Sequence, residues 1–364
     1  MQKFYRISFF LLFLSLLFVS FSWASEKVIE GPKDIIGKSL YVMNNGDIVV
    51  GGLTTSPSFG MKDVYIARFN KDYSTVWKHH YGGFFDDWVE DLYVDDKGIY
   101  LLGTTNSFGT GCSDVLFLWY SVSGRKKNMT PYGESYCEMA KSFVKTEDGF
   151  VILAKRRDSH ASYIFTIDER GKVGMEIDIP HLEYPEGILY KKDVGYIVFG
   201  QTHDFGHDFK MGTYIALLDM KGKKIWDRVL GQDKEYFIKS ATWDGYSIIF
   251  GGFSGLSLYN FWSPLLIKVD LAGNIEYEKP WKKKESEGIT SLSFQNGTIY
   301  GGGFIKKNGV FHPALFKRRK DGNLEDIILN HEGKILDVKA RKGKIYYVGY
   351  VNKGEKSALL IGKY

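Results

Sequence analysis

Short apolar runs separated by polar turns recur along the chain about every fifty residues. In each copy, a run rich in Val, Ile, Tyr and Phe ends at a tight turn with a glycine, and a second such run follows. The turn glycines are Gly46, Gly98, Gly149, Gly195, Gly245, Gly297 and Gly343. Glycine supplies a positive φ at little steric cost, and Asn-Gly or Asp-Gly between apolar runs is a strong hairpin signal. The pattern predicts seven β-hairpins.

The second half of each copy predicts two further strands around a second kind of turn. Asp219–Gly222 and Asp270–Gly273 both begin with an Asp that can accept backbone N–H bonds and end with Gly. Apolar residues show no sustained helical spacing between these turns. Four strands in each of seven copies predict an all-β fold, a seven-bladed β-propeller of four-stranded antiparallel blades.

The two ends of the chain predict how the ring closes. The last copy stops one strand short, and residues 26–30 offer the missing strand, so the N-terminal strand should pair in the last blade and remove an exposed edge. We therefore expect a single domain over residues 25–364. Its predicted blades are 34–85, 86–136, 137–180, 181–232, 233–284, 285–333, and 334–364 together with 25–33.

Residues 1–24 are typical of a secretory signal peptide. Lys3 and Arg6 precede an apolar run, and small residues at Ser22 and Ala24 provide a cleavage site. An uncleaved membrane anchor is the alternative, because the run approaches the length of a span. The sequence thus predicts a periplasmic or extracellular protein with no membrane span after cleavage.

Net charge limits the classes of partner, and the cysteine count bears on disulfide formation. The formal net charge of +5, from 48 basic and 43 acidic residues, is too balanced to indicate a nucleic-acid partner. Cys112 and Cys137 are the two cysteines, an even number in an exported chain, so we expect a disulfide; two separate thiols are the alternative.

Long loops should gather at one end of the propeller. The tight turns connect first to second and third to fourth strands, whereas second–third loops and blade connectors lie at the opposite end, which we call the long-loop end. Function is often carried by long loops on a rigid scaffold. The candidate binding residues at this end are Phe84, Phe85, Asp86, Asp87, Trp88, Phe108, His203, Asp204, Phe205, His207, Tyr259, Phe261 and Trp262. Exposed, these aromatic residues would mark a binding surface; packed, they would form loop cores.

Sequence motifs favour no particular chemistry. Residues 203–208 hold four potential metal ligands without a zinc or calcium spacing. Asp86 and Asp87 could bind Ca²⁺ or a sugar hydroxyl, but a solvated loop start is the simpler interpretation. No nucleophile elbow, phosphate loop or dinucleotide motif occurs in its required context. We expect no catalytic residue, no metal and no cofactor.

The repeat resembles those of secreted bacterial and archaeal propellers known by their repeat alone. The segment from Tyr214 to Trp226, a strand, an Asp-Met-Lys-Gly turn and a Trp, is also similar to the quinoprotein-like repeat. That resemblance implies a propeller and, in the dehydrogenases, a quinone cofactor. Those enzymes usually have eight blades and often an adjacent Cys pair, whereas this chain has seven copies and no Cys-Cys.

We therefore expect a monomeric, exported, non-catalytic binding or scaffold module that contacts an envelope protein or a glycan through its long-loop end. A quinoprotein-like or carbohydrate-active enzyme with its site at the channel mouth is the alternative.

Overall fold

The structure is a computed structural model of the 364-residue chain. It describes residues 25–55, 61–157, 159, 161–203, 211–231, 235–256, 261–281, 284–318 and 322–364. The predicted signal peptide lies outside the described residues. None of the described residues form a helix that is long and apolar enough to cross a membrane.

Each of the seven blades is a four-stranded antiparallel sheet, as the repeat predicts. Blade 1 comprises β2 (Ile35–Val42), β3 (Ile48–Thr54), β4 (Asp63–Phe69) and β5 (Thr75–Tyr81); blade 2 comprises β6 (Asp87–Val94), β7 (Ile99–Thr105), β8 (Asp114–Tyr120) and β9 (Lys126–Tyr132). Blade 3 comprises β10 (Glu138–Lys145), β11 (Gly149–Arg156), β12 (Ser162–Asp168) and β13 (Val173–Ile179); blade 4 comprises β14 (Tyr184–Lys191), β15 (Gly195–Thr202), β16 (Gly212–Leu218) and β17 (Lys224–Leu230). Blade 5 comprises β18 (Glu235–Trp243), β19 (Ile248–Leu256), β20 (Phe261–Val269) and β21 (Ile275–Pro280); blade 6 comprises β22 (Ser286–Gln295), β23 (Thr298–Lys307), β24 (Val310–Arg318) and β25 (Leu324–Ile328). Blade 7 comprises β26 (Gly333–Arg341), β27 (Lys344–Lys353), β28 (Lys356–Lys363) and the N-terminal β1 (Ser25–Ile29).

The predicted ring closure is confirmed. Strand β1 pairs antiparallel with β28, with Ser25 opposite Lys363 and Ile29 opposite Leu359. The outer edge of the last blade is therefore supplied by the start of the described chain.

The hydrophobic core lies between the blades. The described residues form seven buried clusters, and each joins the facing sheets of two neighbouring blades; one contains Ile35 of blade 1 together with Val348 and Leu359 of blade 7. The middle strands are buried on both faces, whereas outermost strands such as β5 are largely exposed. Packing between blades thus stabilises the ring.

Every innermost strand contains a β-bulge that the sequence analysis did not predict. The bulged residues, one in each blade, are Lys38, Glu90, Lys141, Glu186, Lys239, Thr290 and Leu336. Beside the bulge the second strand carries a small residue: a Cβ on Gly52 or Gly103 would lie 2.0 Å from a carbonyl oxygen of the innermost strand. Blade 3 has Ala154 at this position. Small residues therefore allow the close approach that the bulge requires.

The predicted disulfide is also confirmed. Cys112 in the β7–β8 loop bonds to Cys137 in the connector between β9 and β10.

Candidate functional site

The connector from blade 1 to blade 2 presents two aromatic rings to solvent. Phe84 is 71% exposed and Phe85 is 63% exposed, in the segment between β5 and β6. The backbone beneath them is held in place, because Ser107 Oγ accepts a hydrogen bond from the Phe85 N–H at 3.0 Å. Both rings are thus displayed on a fixed connector.

Asp87 is not part of a solvated loop start. Its side chain is fully buried, and Oδ2 accepts hydrogen bonds from Gly83 N (2.9 Å) and Ser107 Oγ (2.7 Å). The neighbouring Asp86 is only partly buried and lies 3.4 Å from Lys62 Nζ. Trp88 donates its indole N–H to Glu90 Oε1 at 2.6 Å. Burial of Asp87 follows from its position as the first residue of an innermost strand.

Phe108 packs within its loop. Its ring stacks on Tyr81 with centroids 5.5 Å apart, and Thr105 Oγ1 accepts the backbone N–H groups of Ser107 and Phe108. The alternative that the aromatic candidates pack as loop cores therefore fits Phe108.

His203 is held by Glu183, which directly precedes the innermost strand β14 of the same blade. Its Nδ1 lies 3.1 Å from Glu183 Oε2, and its backbone N–H donates to Glu183 Oε1 at 2.8 Å. Burial alone would raise the pKa of Glu183, but these bonds to His203 outweigh it and lower the pKa below its ordinary value. The other candidates of this region, Asp204, Phe205 and His207, lie outside the described residues, as does Tyr259 of blade 5.

The two aromatic residues at the start of β20 have different surroundings. Phe261 is exposed, whereas Trp262 is half-buried in a cluster with Phe253, Phe304 and Phe311, with ring centroids 5.8 to 6.5 Å from its own. Trp262 is therefore part of a loop core, and Phe261 is the residue available to a partner.

Exposed aromatic side chains concentrate at the long-loop end. Among the described residues, the exposed Phe and Tyr side chains at this end are Phe84, Phe85, Tyr136, Tyr184 and Phe261. Tyr246, in the β18–β19 turn, is the one at the tight-turn end. Sequence analysis missed Tyr136 and Tyr184, which resemble ordinary strand and connector residues. They lie on the same end because one precedes β10 and the other begins β14.

A central cavity of about 920 Å³ is the second candidate site. It is lined by the bulged residues and by the innermost strands from the bulges toward the tight-turn end, including Val42, Val144 and Arg341. The bulges direct charged side chains into the channel, where ordinary alternation would not place them.

The charges in this cavity neutralise one another across blades. Lys38 Nζ lies 2.7 Å from Glu90 Oε1, and Glu186 contacts both Lys141 (2.7 Å) and Lys239. Burial alone would raise the pKa of Glu186, but the two ammonium groups lower it below its ordinary value.

Two aspartates form the next layer of the channel. Asp91 Oδ2 accepts from Ser142 Oγ at 3.0 Å, and Asp337 Oδ1 accepts from Ser291 Oγ at 2.7 Å. Burial raises the pKa of Asp91 above its ordinary value, with a further contribution from Asp337 and opposition from Lys339. Each bond joins neighbouring blades, so the polar channel fastens the ring. An alignment of the seven innermost strands would have shown that polar residues recur at the positions that line the channel. It would not have shown that their side chains point inward, because that direction depends on the bulge.

Comparison with known proteins identifies the fold. No family model matches the chain, and a search of curated proteins finds no match. Among solved structures, the chain is similar to the β-propeller domain of the trilobed protease from Pyrococcus furiosus, with 11% identity and a TM-score of 0.56, covering 92% of this chain and 94% of that one. It is also similar to an acylaminoacyl peptidase from Pyrococcus horikoshii, with 12% identity and a TM-score of 0.54; the match covers 89% of this chain and 52% of that one, so it spans about half of the peptidase. At these identities the similarity shows the propeller fold alone.

Proposed function

We propose that the chain is a non-catalytic binding module that captures a protein partner through its long-loop end. The observation that carries this proposal is the concentration of exposed aromatic side chains on that end of a rigid ring. Aromatic residues are enriched at protein interfaces, where a few of them supply much of the binding free energy.

A protein partner suits this surface better than a glycan. The exposed rings Phe84 and Phe85 have no hydroxyl or amide of their own, and they belong to consecutive residues of one connector. Adjacent phenyl rings offer apolar area that a partner's apolar side chains would bury. Glycan binding is the alternative that the experiment below distinguishes.

A non-catalytic role is supported by the pairing inside the channel. In the cavity Lys38 pairs with Glu90, and Glu186 pairs with both Lys141 and Lys239. These ion pairs link neighbouring blades to one another. The disulfide is typical of an oxidising compartment, which supports an exported, periplasmic or extracellular location for the module.

The proposal is tested with residues 25–364 immobilised on a support and exposed to envelope extract and, separately, to a glycan array. The variant is Phe84→Ser with Phe85→Ser. The matched control is Tyr246→Ser, which removes an even more exposed ring, at 86%, from the opposite end. We expect a partner that binds the unchanged chain and the control to bind the double variant at least tenfold more weakly.

Retention of the partner by the double variant would overturn the choice of surface. Binding of a defined glycan without any protein partner would overturn the choice of partner. Unfolding curves of all three proteins are expected to coincide, because exposed surface substitutions change stability little.

A further inference from the structure

Two buried carboxylates face each other at the junction of blades 2 and 3. Asp114, the first residue of β8, and Glu138, the first residue of β10, are each 1% exposed. Asp114 Oδ2 accepts from Gly111 N at 3.3 Å, and Glu138 Oε1 accepts from Glu134 N at 3.4 Å. The other two oxygens, Asp114 Oδ1 and Glu138 Oε2, are buried and have no hydrogen-bond donor within the part of the chain that the structure describes.

The two unpartnered oxygens lie against the same glycine, Gly133. A Cβ on Gly133 would lie 2.1 Å from Asp114 Oδ1 and 2.9 Å from Glu138 Oε2. The oxygens are therefore no more than about 5 Å apart, a separation that one Ca²⁺ with ligands at about 2.3–2.6 Å can bridge.

The junction of blades 1 and 2 also brings two buried carboxylates together, but here the Asp87 oxygen nearest Gly82 is Oδ2, which accepts from Gly83 N and Ser107 Oγ. Asp63 begins β4 and Asp87 begins β6, and both are at least nine-tenths buried. A Cβ on Gly82 would lie 2.1 Å from Asp63 Oδ1 and 2.9 Å from Asp87 Oδ2. Asp63 Oδ1 and Asp87 Oδ1 are buried without a donor among the described residues.

Facing buried carboxylates need a compensating positive charge. Two ionised carboxylates this close repel each other, and burial removes the water that would screen them. The cation that acts on Glu138 is Arg156, and its guanidinium contacts Glu176 and Asp178. A cation bound at each junction would supply this charge.

We propose that each of these junctions binds one Ca²⁺, held by Asp63 and Asp87 in one site and by Asp114 and Glu138 in the other. An all-oxygen, mostly dry site suits Ca²⁺ better than Mg²⁺, which keeps several of its waters. Each pair supplies two carboxylates, and backbone carbonyls and water complete the coordination. No group of three or more His, Cys, Asp and Glu side chains with metal-binding geometry occurs among the described residues, so the sites depend on these pairs.

Blades 3 and 4 lack the pair. The residue seven positions before the third-to-fourth turn is Asp63 in blade 1 and Asp114 in blade 2, but Ala161 in blade 3 and Gly212 in blade 4. At the junction of blades 3 and 4, the remaining acid, Glu183, contacts His203 instead. The fold thus accommodates a small residue at this position, which makes alanine a suitable substitution.

The test counts Ca²⁺ ions by native mass spectrometry and calorimetry on residues 25–364, first stripped with a chelator and then supplied with Ca²⁺. We expect two ions in the unchanged chain, one each in Asp63→Ala and Asp114→Ala, and none in the double variant. Asp96→Asn, in the exposed β6–β7 turn, is the matched control and should retain two. The thermal midpoint should rise with Ca²⁺ in the unchanged chain and stay constant in the double variant.

An unchanged chain that binds no Ca²⁺ at millimolar concentration would overturn the proposal. Equal ion counts in the unchanged chain and both alanine variants would also overturn it. If an alanine variant does not fold, Asp63→Asn and Asp114→Asn provide the same test with side chains of the same size. The outcome is independent of the proposed partner surface, because ion counting requires no partner.

Discussion

Glu186 illustrates how a single residue can join three blades. It lies on the bulge of β14 and contacts Lys141 of blade 3 and Lys239 of blade 5. Its side chain is only 10% exposed, while the lysines are about one-third exposed to the channel. Because the lysines overcome the cost of burial, the charged form of Glu186 is favoured in the folded state.

Glu186→Gln should therefore change how stability depends on pH. A lowered folded-state pKa adds stability above the unfolded value, near 4.5, and this stability is lost as pH falls through the folded pKa. We expect the free energy of unfolding of the variant to be about 2 kcal/mol lower at pH 7. This value is smaller than for a fully buried ion pair because the two lysines are partly exposed to solvent. The difference from the unchanged chain should shrink between pH 4.5 and the acid limit of folding.

Urea unfolding from pH 3 to pH 7 measures this difference. Glu147→Gln is the control, since Glu147 pairs with Lys192 at a site where both side chains are more than 60% exposed. A pH-independent difference for Glu186→Gln would show that the variant acts through packing instead.

At the scale of elements, a covalent bond fixes the connector from blade 2 to blade 3. Cys112 and Cys137 join the β7–β8 loop to this connector across a separation of 25 residues. Ser113 and Cys137 also form a short parallel bridge, and Glu138 donates its N–H to Ser113 O at 2.8 Å. The exposed Tyr136 precedes this bridge directly, so its ring stands on a fixed segment.

Reduction of the disulfide should lower stability without unfolding the blades. Loop closure of this length is expected to contribute about 3 kcal/mol. A reductant should therefore lower the thermal midpoint of the unchanged chain. The double variant Cys112→Ser, Cys137→Ser should have this lower thermal midpoint whether or not reductant is present. An unchanged midpoint on full reduction, verified by thiol counting, would contradict this expectation.

The elements also show what sequence can predict. The hairpins follow from local chemistry: Gly46 and Gly245 have φ of +88° and +105°, which few other residues adopt cheaply. The charged lining of the channel cannot be predicted from such local turn chemistry. Lys38 and Glu90 look like polar residues of alternating strands, and only a bulge beside Gly52 or Gly103 turns them inward. Likewise, Asp87 looks like a loop residue, but it begins β6 and its buried side chain accepts hydrogen bonds from Gly83 and Ser107.

At the scale of the whole molecule, stability depends on closing the ring between chain ends. Glu26 of β1 accepts from Tyr347 Oη at 3.1 Å and contacts His331 Nε2 at 2.8 Å. Tyr73 Oη of blade 1 donates to Ser25 O at 2.8 Å. The N-terminal strand thus contacts both the last blade and the first.

A chain that begins at Gly31 should fold less stably and associate through its open edge. Val28 and Ile29 pack against the two clusters that flank blade 7. Full burial of such a side chain contributes about 1.5–3 kcal/mol, so partial burial of both predicts a loss of roughly 2–4 kcal/mol. The free edge of β28 would then be open to pairing with another copy.

Adding a synthetic peptide of residues 25–30 to the shortened chain tests directly whether β1 closes the ring. The added peptide should pair with the free backbone N–H and C=O groups along the edge of β28. Excess peptide should therefore restore the thermal midpoint of the shortened chain, and light scattering should then show a monomer. The control peptide carries Val28→Lys, which keeps the backbone pairing but places a charge against a cluster that contains Tyr347 and Leu360. Equal rescue by both peptides would mean that backbone pairing alone closes the ring, and no rescue by either would mean that β1 contributes little to closure.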